Sequence, residues 1–340
     1  MHRWVIAAAS IALLTAAPNH CARADAVADF YRDRTVRVII GFGVGGGFDV
    51  YARLLARHMG RHIPGRPVLV PQNIIGAGSL NAANTIYNVA PKDGTVFGTF
   101  ARGMAMEALI GTNKAQFDAT KFTWLGSATN ELSVCATWHT SWVKTWDDLL
   151  TKPITVSGTG AGADPDTFAA LMKNVFGAKL KLISSYRGTS EMNLAIERGE
   201  VDGRCGWSWG VLKSTQPGWI AEKKLNLIVQ LSLQKSEELP DVPLIMDFAN
   251  QRQKQILKMV LSRQVMGRPF AAPPGIPQDR ALALRKAFDD TLKDPVFLAD
   301  ANRQGLDTNP VSGTEIEKMI GELYGTPKDV IEEARLAVSP

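Results

Sequence analysis

Two glycine-rich segments contain the residues of this sequence that are best placed for binding chemistry. Residues 41–47 (GFGVGGG) and residues 157–162 (SGTGAG) each follow a short β-branched run and precede an amphipathic pattern. Each segment is therefore predicted to be a loop that opens a helix. Glycines let a backbone approach a ligand closely, and the free N–H groups of a helix N-terminus favour an anion. One loop alone would fit a tight turn, but two facing loops predict a carboxylate site that requires no arginine.

The two loops, the first turns of the helices that follow them and a few other positions supply the predicted substrate-binding residues. These residues are Phe42, Gly43, Val44, Gly45, Gly46, Gly47, Asp49, Arg102, Gly158, Thr159, Gly160, Ala161, Asp164, Tyr186, Arg204 and Trp207. Asp49 and Asp166 lie near the first turns of their helices, where a carboxylate complements the helix dipole and fixes the loop. Arg204 precedes Trp207 and Trp209, whose indoles fit either a pocket wall or a buried core.

Other chemistries lack a required residue. Residues 41–46 satisfy the G-x-G-x-x-G spacing of dinucleotide-binding loops, but the next predicted strand ends in residues 71–73 (PQN), without the acid that would bind the ribose. His58 and His62 are four residues apart but have no third ligand nearby, so they are predicted to lie on a solvated basic helix face with Arg57. Ser79 is predicted to be a helix N-cap rather than a nucleophile. We therefore predict no cofactor, no metal and no catalytic residue.

The first 24 of the 340 residues have the pattern of an export signal. Arg3 precedes an apolar stretch over residues 4–17, and residues 22–24 (ARA) form a cleavage site, so cleavage is expected near Ala24. Lipid attachment at Cys21 is the alternative. Loss of Arg3 and Arg23 lowers the formal charge from +5 to +3, which argues against nucleic-acid binding by an exported protein.

Strands alternate with helices along the mature chain, which predicts an α/β fold with two lobes, each built on a doubly wound, mainly parallel sheet. Residues 124–136 and 225–233 are predicted to be the crossovers between the lobes. The expected lobe boundaries are 25–128 with 233–340 for the first lobe and 129–232 for the second. Cys135 and Cys205 would form a disulfide in an oxidising compartment or remain two separate buried thiols.

Several motifs in fixed order resemble one known family. They are residues 40–49 (IGFGVGGGFD) followed by residues 52–53 (AR), then residues 73–79 (NIIGAGS), 90–95 (APKDGT), 186–188 (YRG), 199–202 (GEVD) and 240–243 (PDVP). The chain resembles the receptors of tripartite tricarboxylate transporters, also called Bug-type periplasmic solute-binding proteins. It departs from them at residues 41–44, where relatives often carry Pro-Phe-Ala-Pro, and in its two neighbouring tryptophans.

The resemblance implies a two-lobed Venus-flytrap fold in which residues 41–47 and 157–164 hold a ligand carboxylate through backbone amides and water. It also implies a monomeric, non-catalytic periplasmic receptor that works with a large and a small integral membrane subunit. The ligand would be a small mono- or dicarboxylate, aliphatic or aromatic. Two alternatives stay open: a ligand-sensing subunit for a signalling kinase, and a secreted enzyme that uses Asp49 or Asp166. Turnover of the bound compound would favour the enzyme.

Overall fold

Strands and helices alternate along the chain, as the sequence predicts. The computed structural model describes residues 20–111 and 115–339, with backbone only for residues 20–25. The described strands are β1 Thr35–Ile40, β2 Val68–Asn73, β3 Val96–Thr99, β4 Thr123–Ser127, β5 Ser133–Trp138, β6 Ile154–Ser157, β7 Leu180–Ile183, β8 Gly203–Ser208, β9 Leu225–Leu231, β10 Pro269–Ala272 and β11 Val311–Ser312.

Helices connect most of these strands. They are α1 His20–Tyr31, α2 Gly47–Met59, α3 Leu80–Asn84, α4 Glu107–Ile110, α5 Trp146–Thr151, α6 Asp164–Phe176, α7 Thr189–Glu197, α8 Trp209–Thr215, α9 Pro217–Ala221, α10 Gln251–Leu261, α11 Gln278–Thr291, α12 Pro295–Arg303, α13 Gly313–Tyr324 and α14 Lys328–Val338. Most of the predicted signal peptide, residues 1–19, lies outside the described residues. Within the described ranges no helix is both long and apolar enough to cross a membrane.

The strands form two sheets. The first has the order β11-β4-β10-β3-β1-β2 and the second the order β7-β6-β8-β5-β9. The α/β class and the two-lobed architecture are confirmed. The pairing is mixed rather than mainly parallel, because β10 pairs antiparallel with β3 and β4, and β5 pairs antiparallel with β8 and β9. The strand-loop-helix units at β1 to β3 and at β6 to β8 pair in parallel.

The chain crosses between the sheets within the segment predicted to be the first crossover. β4 lies in the first sheet and β5 in the second, so residues 128–132 connect them. After β9 the chain returns through α10 to β10. The strands of the first sheet fall inside the residues expected for the first lobe, and those of the second sheet inside 129–232, but the exact boundaries stay a prediction. Cys135 of β5 and Cys205 of β8 are joined by a disulfide, one of the two alternatives left open by the sequence.

The helices cover the sheets with the faces that the sequence predicts. Tyr51, Leu54, Leu55 and Met59 of α2 are buried, because apolar residues at this spacing share one side of a helix. In α6 the equivalent inward residues are Phe168, Leu171 and Met172. α13 packs on β4, as expected for the tail, whereas α14 packs on α4 and α6. The Asn174 side chain donates to the Ser339 carbonyl oxygen at 2.7 Å, which ties this last helix to α6.

One predicted cap is wrong. Ser79 has a positive φ of 80° and its hydroxyl makes no capping hydrogen bond to α3. Instead the hydroxyl accepts a hydrogen bond from the Ala101 backbone N–H at 2.7 Å. Ser79 therefore joins the loop before α3 to the segment after β3 rather than starting the helix.

Candidate functional site

A pocket lies where the loops of the two lobes meet. Its walls come from the segment after β1, the start of α2, the segment after β3, the loop after β6, the starts of α6 and α7, strand β8, helix α8 and the residue before β10. Both lobes therefore contribute to one pocket. Ligands of α/β proteins bind in crevices at the carboxyl ends of parallel strands, because loops and helix N-termini converge there.

Asp49 holds the first glycine loop. Its carboxylate accepts hydrogen bonds from the Gly45 N–H, the Arg53 Nε–H and the Asn73 side-chain amide, each at 2.9 Å. Asn73 also donates to the Phe42 carbonyl oxygen at 2.7 Å. Burial alone would raise the pKa of Asp49, but the hydrogen bonds from Arg53, Asn73 and Gly45 lower it below its usual value. The carboxylate is thus fixed within its own loop.

Asp166 holds the second loop in the same manner but without a cation. Its carboxylate accepts the N–H groups of Thr159 and Gly160, at 2.7 and 2.9 Å, and the Ser184 hydroxyl. Burial is the largest influence and raises the pKa of Asp166, although these hydrogen bonds oppose it. The prediction that both acids fix their loops is confirmed. Consequently the N–H groups of Gly45, Thr159 and Gly160 already have partners.

The opposite environments of the two acids lead to a pH prediction for Asp49. Replacing Asp49 with asparagine should lower the free energy of unfolding at pH 7 by about 1–2 kcal/mol, because a charged acceptor is lost. The folded pKa of Asp49 is depressed, so its stabilisation is complete above the unfolded pKa and disappears as the pH falls through the folded pKa. Urea unfolding should therefore show a deficit at pH 7 that shrinks towards pH 2.5. As a control, Asp29→Asn removes an exposed pair with Arg32 and should change little. A deficit that is independent of pH would contradict this prediction.

Buried arginines and acids surround the pocket. Arg102 forms ion pairs with Asp164 and, at 3.0 Å, with Glu131, and it donates to Ser133 Oγ at 3.0 Å. Arg268 pairs with Glu131 at 2.7 Å. Burial lowers the pKa of Arg102, but Asp164 and Glu131 outweigh it and raise the value above its usual range. These two guanidinium groups are therefore neutralised by acids of the protein.

Arg204 is different. It is buried in β8, yet within the described residues no carboxylate lies at ion-pair distance from it. Its NH1 group donates to Thr189 Oγ1 at 3.2 Å, its guanidinium carbon lies 5.6 Å from the centre of the Trp207 ring, and its Nε–H has no partner. A buried cation without a counter-ion costs free energy, so an anion bound beside Arg204 would stabilise it.

The two lobes contact each other directly beside the pocket. The Gly43 N–H donates to the Arg187 carbonyl oxygen at 3.0 Å, and the Gly78 N–H donates to the Thr159 carbonyl oxygen at 3.1 Å. These are backbone hydrogen bonds between loops of different lobes. The pocket is therefore partly closed by contacts between the lobes.

The structure brings about half of the predicted binding residues together. Those that line the pocket are Phe42, Gly46, Gly47, Arg102, Thr159, Asp164, Arg204 and Trp207. Those that do not line it are Gly43, Val44, Gly45, Asp49, Gly158, Gly160, Ala161 and Tyr186. Many of the latter hold the loops or join the lobes, and Tyr186 lines a neighbouring cleft with Gly160. Their roles in binding stay a prediction.

Sequence reasoning missed much of the rest of the lining. The missed residues are Phe48, Ala101, Ala163, Pro165, Gly188, Thr189, Met192, Gly206, Ser208, Val211 and Arg268. Arg268 lies in the tail, where no local pattern distinguishes it, and only the antiparallel β10 brings it to the pocket. The position of Thr189 at the start of a helix after Gly188 was the one available signal. Trp209 is buried elsewhere and donates to Glu238 at 2.7 Å.

The prediction that His58 and His62 lie on a solvated face of α2 is wrong. His58 is buried, with Nε2 2.9 Å from Asp300, and His62 Nε2 lies 2.8 Å from Asp294. Arg57 pairs with Asp300 at 3.1 Å. The basic residues of α2 and of the turn after it therefore contact Asp300 of α12 and Asp294, the N-cap of α12, although Arg57 remains half exposed. Among the described residues, no cluster of three metal-ligating side chains is present.

Several solved structures have the same fold. The periplasmic binding protein BugD is 19% identical, with a TM-score of 0.72 over 89% of this chain and 98% of BugD. MatC of Rhodopseudomonas palustris, solved with bound malate, is 20% identical, with a TM-score of 0.69 over 88% and 99%. An R. palustris protein solved with adipate is 17% identical, with a TM-score of 0.68 over 88% and 97%.

A curated relative extends the comparison to the sequence. The UPF0065 protein in the gbd 5′ region of Cupriavidus necator is 26% identical over 351 residues, covering 98% of each chain. The resemblance to Bug-type receptors is confirmed. No protein-family model matches the chain.

Proposed function

We propose that this protein is a periplasmic solute-binding receptor that captures a small carboxylate between its lobes and delivers it to a tripartite tricarboxylate-type transporter. The observation that carries the proposal is Arg204, a buried cation at a pocket shared by both lobes, which has no acid of the described residues at ion-pair distance. A carboxylate would supply the missing negative charge and accept the free Nε–H.

The relatives support this assignment. Two proteins of the same fold were solved with malate and with adipate, which are small carboxylates. Export to the periplasm agrees with the signal pattern of residues 1–24. The large and small membrane subunits follow from the resemblance to Bug-type receptors.

The acids near the pocket are engaged by groups of the protein, which favours binding without catalysis. A general acid or base must be available to the substrate. Asp49 and Asp166 instead accept hydrogen bonds from their own loops, and Asp164 is paired with Arg102. The chemistry of these carboxylates is thus structural, and we propose a receptor rather than an enzyme.

Titration calorimetry of the purified protein tests the proposal. The panel contains hexanoate, adipate, benzoate, terephthalate and malate, with hexanamide and benzamide as neutral controls. We expect at least one carboxylate to bind while both amides do not, and the bound compound to be recovered unchanged. At a hundred times its dissociation constant that carboxylate should add about 2.7 kcal/mol to the free energy of unfolding. X-ray scattering should show a more compact particle with ligand. Equal binding of acids and amides, or conversion of the ligand, would refute the proposal.

A further inference from the structure

We infer that the ligand is a monoanion, with a single carboxylate on Arg204 and an apolar body against Phe42, Phe48, Met192 and Val211. The inference rests on the proposed function and specifies the ligand class of the same pocket. The observations that carry it are the pairing of the arginines at the pocket and the chemistry of the remaining wall.

The number of unpaired guanidinium groups limits the number of ligand carboxylates. Three arginines line the pocket, namely Arg102, Arg204 and Arg268. Arg102 is paired with Asp164 and Glu131, and Arg268 with Glu131. Among the described residues, this leaves Arg204 as the one lining arginine without a direct ion pair. One carboxylate on Arg204 would balance the three lining arginines together with Asp164 and Glu131.

Arg204 is held in an orientation that leaves donors available. Thr189 accepts from one terminal NH group, and Trp207 lies beside the guanidinium plane, but the Nε–H is unpartnered. Burial lowers the pKa of Arg204 to about 9, opposed by Asp164 and assisted by Arg268 and Arg102. Arg204 is therefore still a cation at neutral pH. A carboxylate on it would gain a charge-assisted hydrogen bond in a desolvated site.

The rest of the wall favours an apolar ligand body. The rings of Phe42 and Phe48 are stacked with their centres 4.7 Å apart, and Met192 and Val211 add aliphatic surface. Thr159 Oγ1 is buried without a partner, so it can form a hydrogen bond with one hydroxyl or carbonyl group of the ligand. Such a wall suits an aromatic ring or a short alkyl chain.

A second carboxylate would find no free cation. Arg268 also has an unpartnered Nε–H, but Glu131 lies 2.7 Å from its NH1 group. A ligand carboxylate placed there would face Glu131 as well as Arg268. An uncompensated charge in a buried site is strongly unfavourable, so a dianion should bind more weakly than the matching monoanion.

Two matched pairs in the calorimetry panel test the ligand class at pH 7.5. Hexanoate and adipate share a six-carbon chain, and benzoate and terephthalate share a ring, so each pair differs by one carboxylate. We expect the monocarboxylate of at least one pair to bind at least tenfold more tightly than its dicarboxylate. Tighter or equal binding of the dicarboxylates, or binding of malate alone, overturns the inference and leaves the receptor proposal standing. Failure of every carboxylate overturns both.

An Arg204→Met variant tests the anchor itself. We expect at least a hundredfold loss of monocarboxylate affinity together with a higher melting temperature of the ligand-free protein, because a buried, unpaired cation is removed. Thr189→Val keeps the charge but removes its orienting acceptor, so a loss of about tenfold or less is expected. If Arg204→Met kept its affinity, or lost stability and affinity together, Arg204 would be a structural residue and the inference would fail.

Discussion

Replacing Arg102 with methionine should lower the free energy of unfolding by about 2–4 kcal/mol, because the buried Asp164 and Glu131 lose the guanidinium group that they share and keep only Arg263, at 3.7 Å, and Arg268, at 2.7 Å. Both carboxylates and the guanidinium are more than nine-tenths buried. Water therefore cannot replace the lost ion pairs. Urea unfolding followed by far-ultraviolet circular dichroism measures the difference.

A surface arginine with two acidic partners provides the control. Arg252 contacts Asp329 and Glu333 at 2.9 and 2.6 Å, but it is 44% exposed. Arg252→Met should lower the free energy of unfolding far less than Arg102→Met, because solvent screens exposed pairs. Arg102→Lys, which retains the charge, should fall between the two methionine variants. Equal effects at Arg102 and Arg252 would show that the buried cluster is not the stabilising unit.

Local patterns were sufficient to predict the units that hold the site. In both lobes a β-branched run, a glycine loop and an acid near the first helical turn occur within about fifteen residues, so neighbouring residues determine the structure. The observed bonds from Gly45 to Asp49 and from Thr159 to Asp166 follow from this local chemistry. The same local patterns predicted which faces of α2 and α6 are buried.

Contacts between distant segments could not be predicted in this way. The strand β10 enters the first sheet between β3 and β4, and its antiparallel direction has no local signature. Arg268 precedes that strand and forms an ion pair with Glu131, which lies in the connection between β4 and β5. Consequently the sequence placed the main binding contacts in the backbone amides of the two loops and named Arg102 and Arg204 as further candidates, but it gave no sign of Arg268.

The sequence also treated the two glycine loops as equivalent, and the structure distinguishes them. Gly46 has φ −81° and ψ 165°, which any residue can adopt, and the closest atom to an added Cβ would be the Thr189 N at 3.5 Å. Gly160 has φ +134°, and an added Cβ would lie 2.6 Å from the Gly78 N and 2.8 Å from the Ala77 carbonyl carbon. Side chains are therefore tolerated at the first position and excluded at the second.

Gly160→Ala should consequently weaken carboxylate binding by about a hundredfold, which corresponds to about 2.7 kcal/mol, while Gly46→Ala should change it less than about threefold. The Gly160 N–H donates to Asp166, so the loss would not come from a missing bond to the ligand. It would come from separation of the lobes where the Gly78 N–H meets the Thr159 carbonyl oxygen, which lowers the population of the enclosed pocket. Calorimetry with the carboxylate that binds the natural protein most tightly measures both variants, and circular dichroism checks that each is folded. Equal losses at the two glycines would indicate that backbone approach to the ligand, rather than contact between the lobes, sets the affinity.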